Sequence, residues 1–345
     1  MSAEATRTRP QAGAGALVGR RQLDRRRWGR FSPTAVLVML GLLVLVSIYL
    51  FMTLGARGSW EFILQFRGRK VIGMLLVGTA IATSTVMFQT VTNNRILTPS
   101  IMGFDALYVL LQTCLAFFLG AAGLTQLDSR MLFAAETIGL MIFAGALYYW
   151  LFVVGHRSLH LLVLAGIVLG VMLRSFTSLL QRVMDPLTFA VLQDATFASF
   201  NTFDARLLAP AAFLVGLALF GAWRLRYQLD ILALGREMAI GLGVDYRRTV
   251  IQALLIITAL VAVSTALVGP VTFFGLVVAN LAYALVRSYR HQVILPAAAL
   301  LAAVVLILGQ TVLERMLGLG TSLSVIVEFV GGLLFIYLVL RGVVR

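Results

Sequence analysis

The chain has 345 residues, of which 60% are hydrophobic and only 12% are charged. Its mean hydropathy of +0.97 excludes a water-soluble globular fold, because soluble domains are only about half apolar. The length leaves room for about ten membrane-spanning helices of about 20 residues each and for no sizeable domain outside the membrane. The formal charge of +14 therefore indicates a basic cytoplasmic membrane face and not a nucleic-acid partner.

Residues 1–31 are polar and rich in arginine, and Ser32-Pro33 then opens the first apolar run. This change predicts a basic cytoplasmic tail over 1–31 and a transmembrane domain over 32–345. A cleaved signal peptide is not expected, because the apolar run continues to about residue 54 and no small-residue cleavage site follows it. Cys114 is the only cysteine, so an internal disulfide and a thiolate metal site are both excluded.

Ten apolar windows follow in chain order, each about long enough to span a bilayer, although the eighth is marginal. They cover residues 33–54, 71–91, 101–121, 131–154, 160–180, 207–225, 249–269, 271–287, 294–313 and 324–340. An even number of spans places both termini on one side of the membrane. Most arginines then share the side of the N-terminus, so both termini are predicted to be cytoplasmic in a multi-pass inner-membrane protein.

Two connections are longer than a turn. Segment 181–206 faces outside and mixes acids with phenylalanines, as an interfacial amphipathic segment does. Segment 226–248 faces the cytoplasm and combines a short helical turn with glycines that permit a sharp reversal. Both an ordinary basic loop and a bent helix pair lying across a partner protein fit this spacing. The positions concerned are Leu234, Gly235, Glu237, Ala239, Gly241, Leu242 and Gly243.

No enzyme chemistry is predicted for this chain. Its only lysine, Lys70, follows an arginine where a P-loop needs a glycine, so any ATP hydrolysis must come from another subunit. His156 and His160 have the i, i+4 spacing of metal ligands but lack the glutamate of a zinc hydrolase, and two ordinary loop residues explain them better. His291 lies alone in another predicted cytoplasmic loop, so it gives no nucleophile a base. No cofactor and no metal are expected.

Some ionisable residues are predicted within or near the membrane, namely Asp105, Glu136, Arg174 and Glu328. Acids that line a path would fit an ion- or proton-coupled secondary transporter. The competing interpretation is structural: two of the acids lie near span ends, and the other two groups snorkel or pair. This second interpretation is favoured.

Three segments resemble the signatures of one transport family. Residues 76–82, Gln89 and 93–103 resemble LVGxxLA…Q…NPLAxPxxLG, and residues 269–278 resemble GxIxFxGLxxPH. The pattern LGxxxAxxLG matches at Leu234, Gly235, Ala239, Leu242 and Gly243. From about residue 33 onward the chain is therefore similar to the iron-chelate and cobalamin uptake permeases of ABC importers. The resemblance implies an all-α polytopic permease domain in which 226–248 is the cytoplasmic loop that couples to an ATPase.

The chain departs from the family pattern at several positions. Arg95 stands where the pattern has a proline, Asn280 where it has a histidine, and Gln310 where an aspartate is expected. These departures resemble the subgroup that serves catechol-type ferric siderophores. The resemblance therefore implies a ferric siderophore as cargo and leaves the particular chelate open.

The resemblance also implies partners and sites. The partners would be a second permease subunit, two ATP-binding ABC subunits and an extracytoplasmic siderophore-binding protein. Arg67, Lys70 and Arg315 match basic docking points for glutamates of the binding protein, although anchoring of helix ends at the headgroups is the alternative. Cargo would pass between the two permease subunits, and the expected lining residues are Met87, Gln89, Asn93 and Ser158.

Overall fold

The computed structural model describes residues 32–56, 59–149, 159–196, 200, 204–316 and, farther on, 326, 328–329, 331–333 and 336. The predicted tail over 1–31 lies outside these residues. Within them the chain forms helices and turns and contains no strand. The predicted all-α class is confirmed.

The described part of the chain contains eleven α-helices. The α-helices are α1 Pro33–Thr53, α2 Trp60–Val91, α3 Phe104–Gln126, α4 Ser129–Tyr149, α5 Leu159–Val183, α6 Pro186–Thr196, α7 Leu208–Leu232, α8 Arg236–Gly241, α9 Tyr246–Val268, α10 Phe274–Val286 and α11 His291–Thr311. Short 3-10 helices precede α3 and α7, at Pro99–Met102 and Ala205–Leu207, and a short π-helix, Val312–Met316, follows α11.

Local sequence explains where several helices begin. Ser32 accepts a hydrogen bond from the backbone N–H of Ala35 at 3.2 Å, and Pro33 supplies the fixed φ of the first helical position. Asp245 caps α9 in the same way, because its carboxylate accepts from the N–H of Arg248 at 3.1 Å. These caps satisfy donors that the helix itself leaves unpaired.

Eight of the described helices are long and apolar enough to cross a membrane: α1 to α5, α7, α9 and α11. Helix α10 is apolar but has only 13 residues, or about 20 Å, which is shorter than the hydrocarbon core. It matches the window that the sequence marked as marginal. The last predicted window, 324–340, is described only in part, and segment 181–206 contains α6 in addition to turns.

Helices α2 and α9 form the centre of the bundle. Buried residues make up 72% of the α2 span and 67% of the α9 span, against 22% for α5. Helix α11 packs on α1 and α2, α9 packs on α2, α4 and α7, and α3 packs on α5 and α6. Helix α5 is therefore peripheral in the single subunit, where its apolar face is free to meet lipid or another protein.

Helix α10 approaches α2 closely at Gly275. A Cβ atom at this position would lie 2.2 Å from the Thr85 hydroxyl oxygen, which itself donates to the Ile81 carbonyl at 2.7 Å. We expect Gly275→Ala to destabilise the subunit by about 1–3 kcal/mol, because the two helices must separate. Gly216→Ala is the matched control, since no described atom lies within 4 Å of its Cβ position. Thermal unfolding in nanodiscs measures both, and equal transition temperatures would contradict the close approach.

Candidate functional site

The cytoplasmic segment predicted over 226–248 is shorter in the structure. Helix α7 continues to Leu232 and α9 begins at Tyr246, which leaves 233–245 as the connection with α8 inside it. We call residues 233–245 the coupling segment. Gly235 has φ +95° and Gly243 has φ +82°, a backbone region that side-chain-bearing residues rarely adopt. The two glycines therefore allow the sharp turns on either side of α8.

One residue of the coupling segment is buried, and most of the others are exposed. Ala239 is fully buried, and its carbonyl accepts from the Val244 N–H at 3.1 Å. Large apolar side chains around it are each more than half exposed: Leu234, Met238, Ile240 and Leu242. The segment lies between two candidate spans, which end at Leu232 and begin at Tyr246, so lipid tails do not explain this exposure. Such an apolar patch outside the membrane is typical of a protein-binding surface.

Two further predicted residues of the segment fit a partner surface. Glu237 is exposed in the first turn of α8. No described atom lies within 4 Å of a Cβ built on Gly241. The space beside α8 is thus open in the single subunit.

The sequence suggested that His291 lies alone in a loop, but the structure gives it two polar partners. It begins α11, is 1% exposed, and lies with its Nδ1 atom 2.7 Å from the Asp230 carboxylate and its Nε2 atom 2.7 Å from the Thr90 hydroxyl. The His291 backbone N–H also donates to Asp230, at 2.6 Å. This cluster connects α2 and α11 to the end of α7, four residues before Leu234. The end of α7 that leads into the coupling segment is thereby bonded to the central helix α2 through His291.

We expect Asp230→Asn to destabilise the subunit by about 1–3 kcal/mol, because the buried imidazole loses a charged acceptor. Its effect and that of His291→Gln should be non-additive by about 1 kcal/mol or more in a double-mutant cycle followed by thermal unfolding. Glu237→Gln, an exposed acid at the same end, serves as the stability control. Fully additive effects of the two substitutions would contradict the cluster.

The predicted lining residues occupy different environments. Gln89 and Asn93 line a cavity of about 1000 Å³ at the end of the bundle that carries the coupling segment. Met87 is fully buried within the subunit, so in this conformation it packs against neighbouring helices and borders no open space. Ser158 and His156 lie outside the described residues. The role of these residues in a path stays a prediction.

The three residues predicted to dock a binding protein come together at the opposite end of the bundle. Arg67 is 6% exposed and donates four hydrogen bonds of 2.9–3.0 Å to the carbonyls of Phe51, Met52, Leu54 and Gly55. Its guanidinium thus caps the C-terminus of α1, where a helix leaves carbonyls unpaired and carries partial negative charge. This contact matches the structural alternative of helix-end anchoring.

Glu314 joins the other two basic residues. Lys70 donates to its Oε1 at 2.9 Å, Gln310 donates to the same atom at 2.5 Å, and Arg315 lies 3.5 Å from its Oε2. Gln310 stands where the family pattern has an aspartate, and Glu314 supplies a carboxylate one helical turn later. Lys70 is 8% exposed and Arg315 is partly exposed, so Arg315 offers the most surface of the three. Docking by these residues remains a prediction.

Comparison with known proteins identifies the family. The model of the FecCD transport family matches residues 34–341. The petrobactin import system permease protein YclO of Bacillus subtilis is 41% identical over 307 residues, which are 89% of this chain and 96% of that protein. The chain belongs to the FecCD transport family.

Other comparisons agree with this FecCD assignment. The petrobactin import system permease protein FatC of Bacillus anthracis is 32% identical over 79% of this chain and 77% of its own length. A solved structure described as an inward-facing conformation of a putative metal-chelate type ABC transporter has a TM-score of 0.80 and 23% identity, covering 90% of this chain and all of that one. That likeness shows the fold of a polytopic permease.

The membrane-embedded acids of this FecCD chain have polar partners. Asp105 accepts from the Thr272 hydroxyl at 2.9 Å, and Glu136 accepts from the amide of Gln112. Glu328 lies 3.4 Å from the Thr272 backbone nitrogen. Paired carboxylates fit the structural interpretation. Groups of three or more potential metal ligands are absent from the described residues.

We expect Asp105→Asn, Glu136→Gln and Glu328→Gln each to leave cargo uptake independent of the proton gradient, because an amide can take over most of these hydrogen bonds. Uptake by cells or right-side-out vesicles with and without a protonophore measures this. Loss of uptake in a stably inserted variant, with recovery on a change of pH, would instead support a proton-coupled carrier.

Proposed function

We propose that the chain is the transmembrane permease subunit of an ATP-driven importer that moves a ferric siderophore across the cytoplasmic membrane. Membership of the FecCD family and the names of the two petrobactin import permeases support the cargo class. The departures from the cobalamin pattern favour a catechol-type chelate. Both termini are cytoplasmic in this proposal, in agreement with the distribution of arginines.

The observation that carries the proposal is the apolar surface of the coupling segment. Its four exposed apolar side chains lie outside the spans, next to a glycine with open space beside it. Burial of a large apolar side chain contributes about 1.5–3 kcal/mol, so a partner that covers this surface gains a stable contact. An ATP-binding ABC subunit is the partner that fits, because the chain has no P-loop of its own.

The remaining partners follow from the size of the cargo. A ferric chelate is too large for a narrow pore within a single bundle, so a path between two permease subunits is physically reasonable. The apolar, peripheral face of α5 is available for such a contact. An extracytoplasmic binding protein would deliver the chelate to the opposite end, where Arg315 is partly exposed.

Co-purification tests this assignment. The full chain, expressed with an ATP-binding ABC subunit from the same organism, should be retained with that subunit in detergent and in nanodiscs, with one ATP-binding subunit per permease. The complex should hydrolyse ATP faster when the loaded binding protein is added. A permease that is folded and active in uptake but never retains an ATP-binding subunit would contradict the proposal.

A further inference from the structure

The cavity at the cytoplasmic end of the bundle is basic. The residues that give it its charge and polarity are Gln89, Asn93, Arg95, Tyr289, Arg287 and Arg290. Asp230 is its only acidic lining residue among those described, and that carboxylate is already bonded to His291. Its volume of about 1000 Å³ is that of a small-molecule site. The cavity therefore favours an anionic ligand.

Arg95 has no carboxylate partner among the residues that the structure describes. Its guanidinium carbon lies 4.7 Å from the ring centre of Tyr283 and 5.1 Å from that of Tyr289. Both rings stabilise the cation through their faces. The side-chain N–H groups of Arg95 have no hydrogen-bond acceptor among the described residues. A guanidinium held by aromatic faces keeps its N–H edge for oxygen atoms, and charged oxygens in pairs fit that edge best.

The backbone around Arg95 is fixed. Its carbonyl accepts from the Gln89 Nε2 atom at 2.8 Å and from the Asn280 Nδ2 atom at 3.1 Å. Two departures from the family pattern, Arg95 for proline and Asn280 for histidine, are thus in direct contact. The guanidinium is consequently presented from a rigid loop, which lowers the entropy lost when it binds a ligand.

Gln89 supplies a second, independent sign of a ligand. This side chain is 2% exposed and lines the cavity, and its Oε1 atom has no partner among the described residues. A buried acceptor without a hydrogen bond lowers the stability of the protein. A ligand hydroxyl, a ligand N–H or a bound water would supply the missing donor. Because its amide nitrogen is held by the Arg95 carbonyl, the Oε1 atom is fixed relative to Arg95.

We propose that this cavity is a cytoplasmic-side binding site for the anionic iron chelate, in which Arg95 contacts negatively charged oxygens and Gln89 accepts a hydrogen bond. The proposal rests on the proposed import function. An acidic segment of the ATP-binding subunit is the competing occupant. A small chelate fits better, because Gln89 is 2% exposed and its unpaired Oε1 atom needs a ligand that enters the cavity.

Binding to the full permease in nanodiscs tests the site. The probe is the ferric tris complex of N-ethyl-2,3-dihydroxybenzamide, which carries three negative charges and amide N–H groups. The neutral ferric tris(acetohydroxamate) complex is the reference ligand. Arg95→Gln should weaken binding of the anionic complex about tenfold or more, the scale of a charged hydrogen bond, and leave the neutral complex unaffected.

The controls separate the site from general charge and from folding. Arg248→Gln removes an exposed arginine near the same membrane face but outside the cavity, and it should bind like the wild type. Arg290→Gln, at an exposed lining position, should weaken anionic binding by a smaller factor of about two to five, as a rim charge does. If the Arg95→Gln protein fails to insert, the affinity of the Arg290→Gln protein for the anionic complex tests the site.

Several results would overturn the proposal. They are equal affinity of the Arg95→Gln and wild-type proteins for the anionic chelate, equal loss in the Arg248→Gln protein, or no binding to the wild type. Loss of ATP-binding subunit retention in the Arg95→Gln protein, with chelate affinity unchanged, would assign the cavity to the partner. ATP-driven uptake by the wild type is measured in parallel, so failure of the site and failure of the import function give different results.

Discussion

The double substitution Met238→Asp/Ile240→Asp is expected to abolish ATP-driven uptake while the permease stays folded and inserted. Both side chains are more than half exposed in the single subunit, so aspartate costs the isolated fold little. In the complex each would lose about 1.5–3 kcal/mol of apolar burial and would bring an unpaired charge into the interface. Retention of the ATP-binding subunit should therefore fall at least about 100-fold.

The volume-conserving change Met238→Leu/Ile240→Leu is the matched control and should keep uptake within about a factor of three. Gly241→Phe is a useful third variant, because the open space beside Gly241 accepts the ring in the single subunit and a docked partner would not. Glu237→Lys tests the exposed acid of the same segment. Wild-type uptake by the double aspartate variant would remove the coupling segment from the mechanism.

Arg67→Met is expected to lower the stability of the whole subunit by about 3 kcal/mol or more. Four carbonyl groups at the end of α1 lose their donor, and carbonyls that remain buried without a partner are costly. Arg67→Lys should also be destabilising, because one ammonium group cannot reproduce the fork of the guanidinium. The apparent transition temperature in nanodiscs measures both effects.

Arg69→Met is the matched control for Arg67, since Arg69 is an exposed neighbour on α2. A pure docking role for Arg67 gives the opposite pattern. In that case the Arg67→Lys protein would keep its transition temperature and would bind the loaded binding protein more weakly, most visibly at low salt. This comparison distinguishes helix capping from docking.

The membrane spans were the part of the fold that the sequence predicted best, because long apolar runs identify them directly. The second apolar window was predicted over 71–91, and the helix that contains it begins earlier, at Trp60. Arg67 and Lys70 suggested a span boundary, but Arg67 is bonded to the end of the preceding helix and Lys70 to a residue near the other end of the chain. Lys70 bonds to Glu314, which is 244 residues away, and such a pairing cannot be deduced from a local window.

The same reason explains which parts of the candidate site were missed. The coupling segment is continuous in sequence, so its glycines and its apolar residues could be recognised together. Asp230 and His291 are 61 residues apart, and Arg95 and Asn280 are 185 apart. The sequence singled out His291, Arg95 and Asn280 separately. Only the packing of α2, α7, α10 and α11 brings His291 and Arg95 to one cavity and Asn280 against the Arg95 carbonyl.

Transport by purified components tests the import function most directly. Proteoliposomes that contain the permease and its ATP-binding subunits are supplied with the loaded binding protein on one side and ATP on the other. We expect the iron chelate to accumulate only with hydrolysable ATP, and we expect a protonophore to have no effect. Accumulation that needs no ATP and collapses with the proton gradient would contradict it and would identify a secondary transporter.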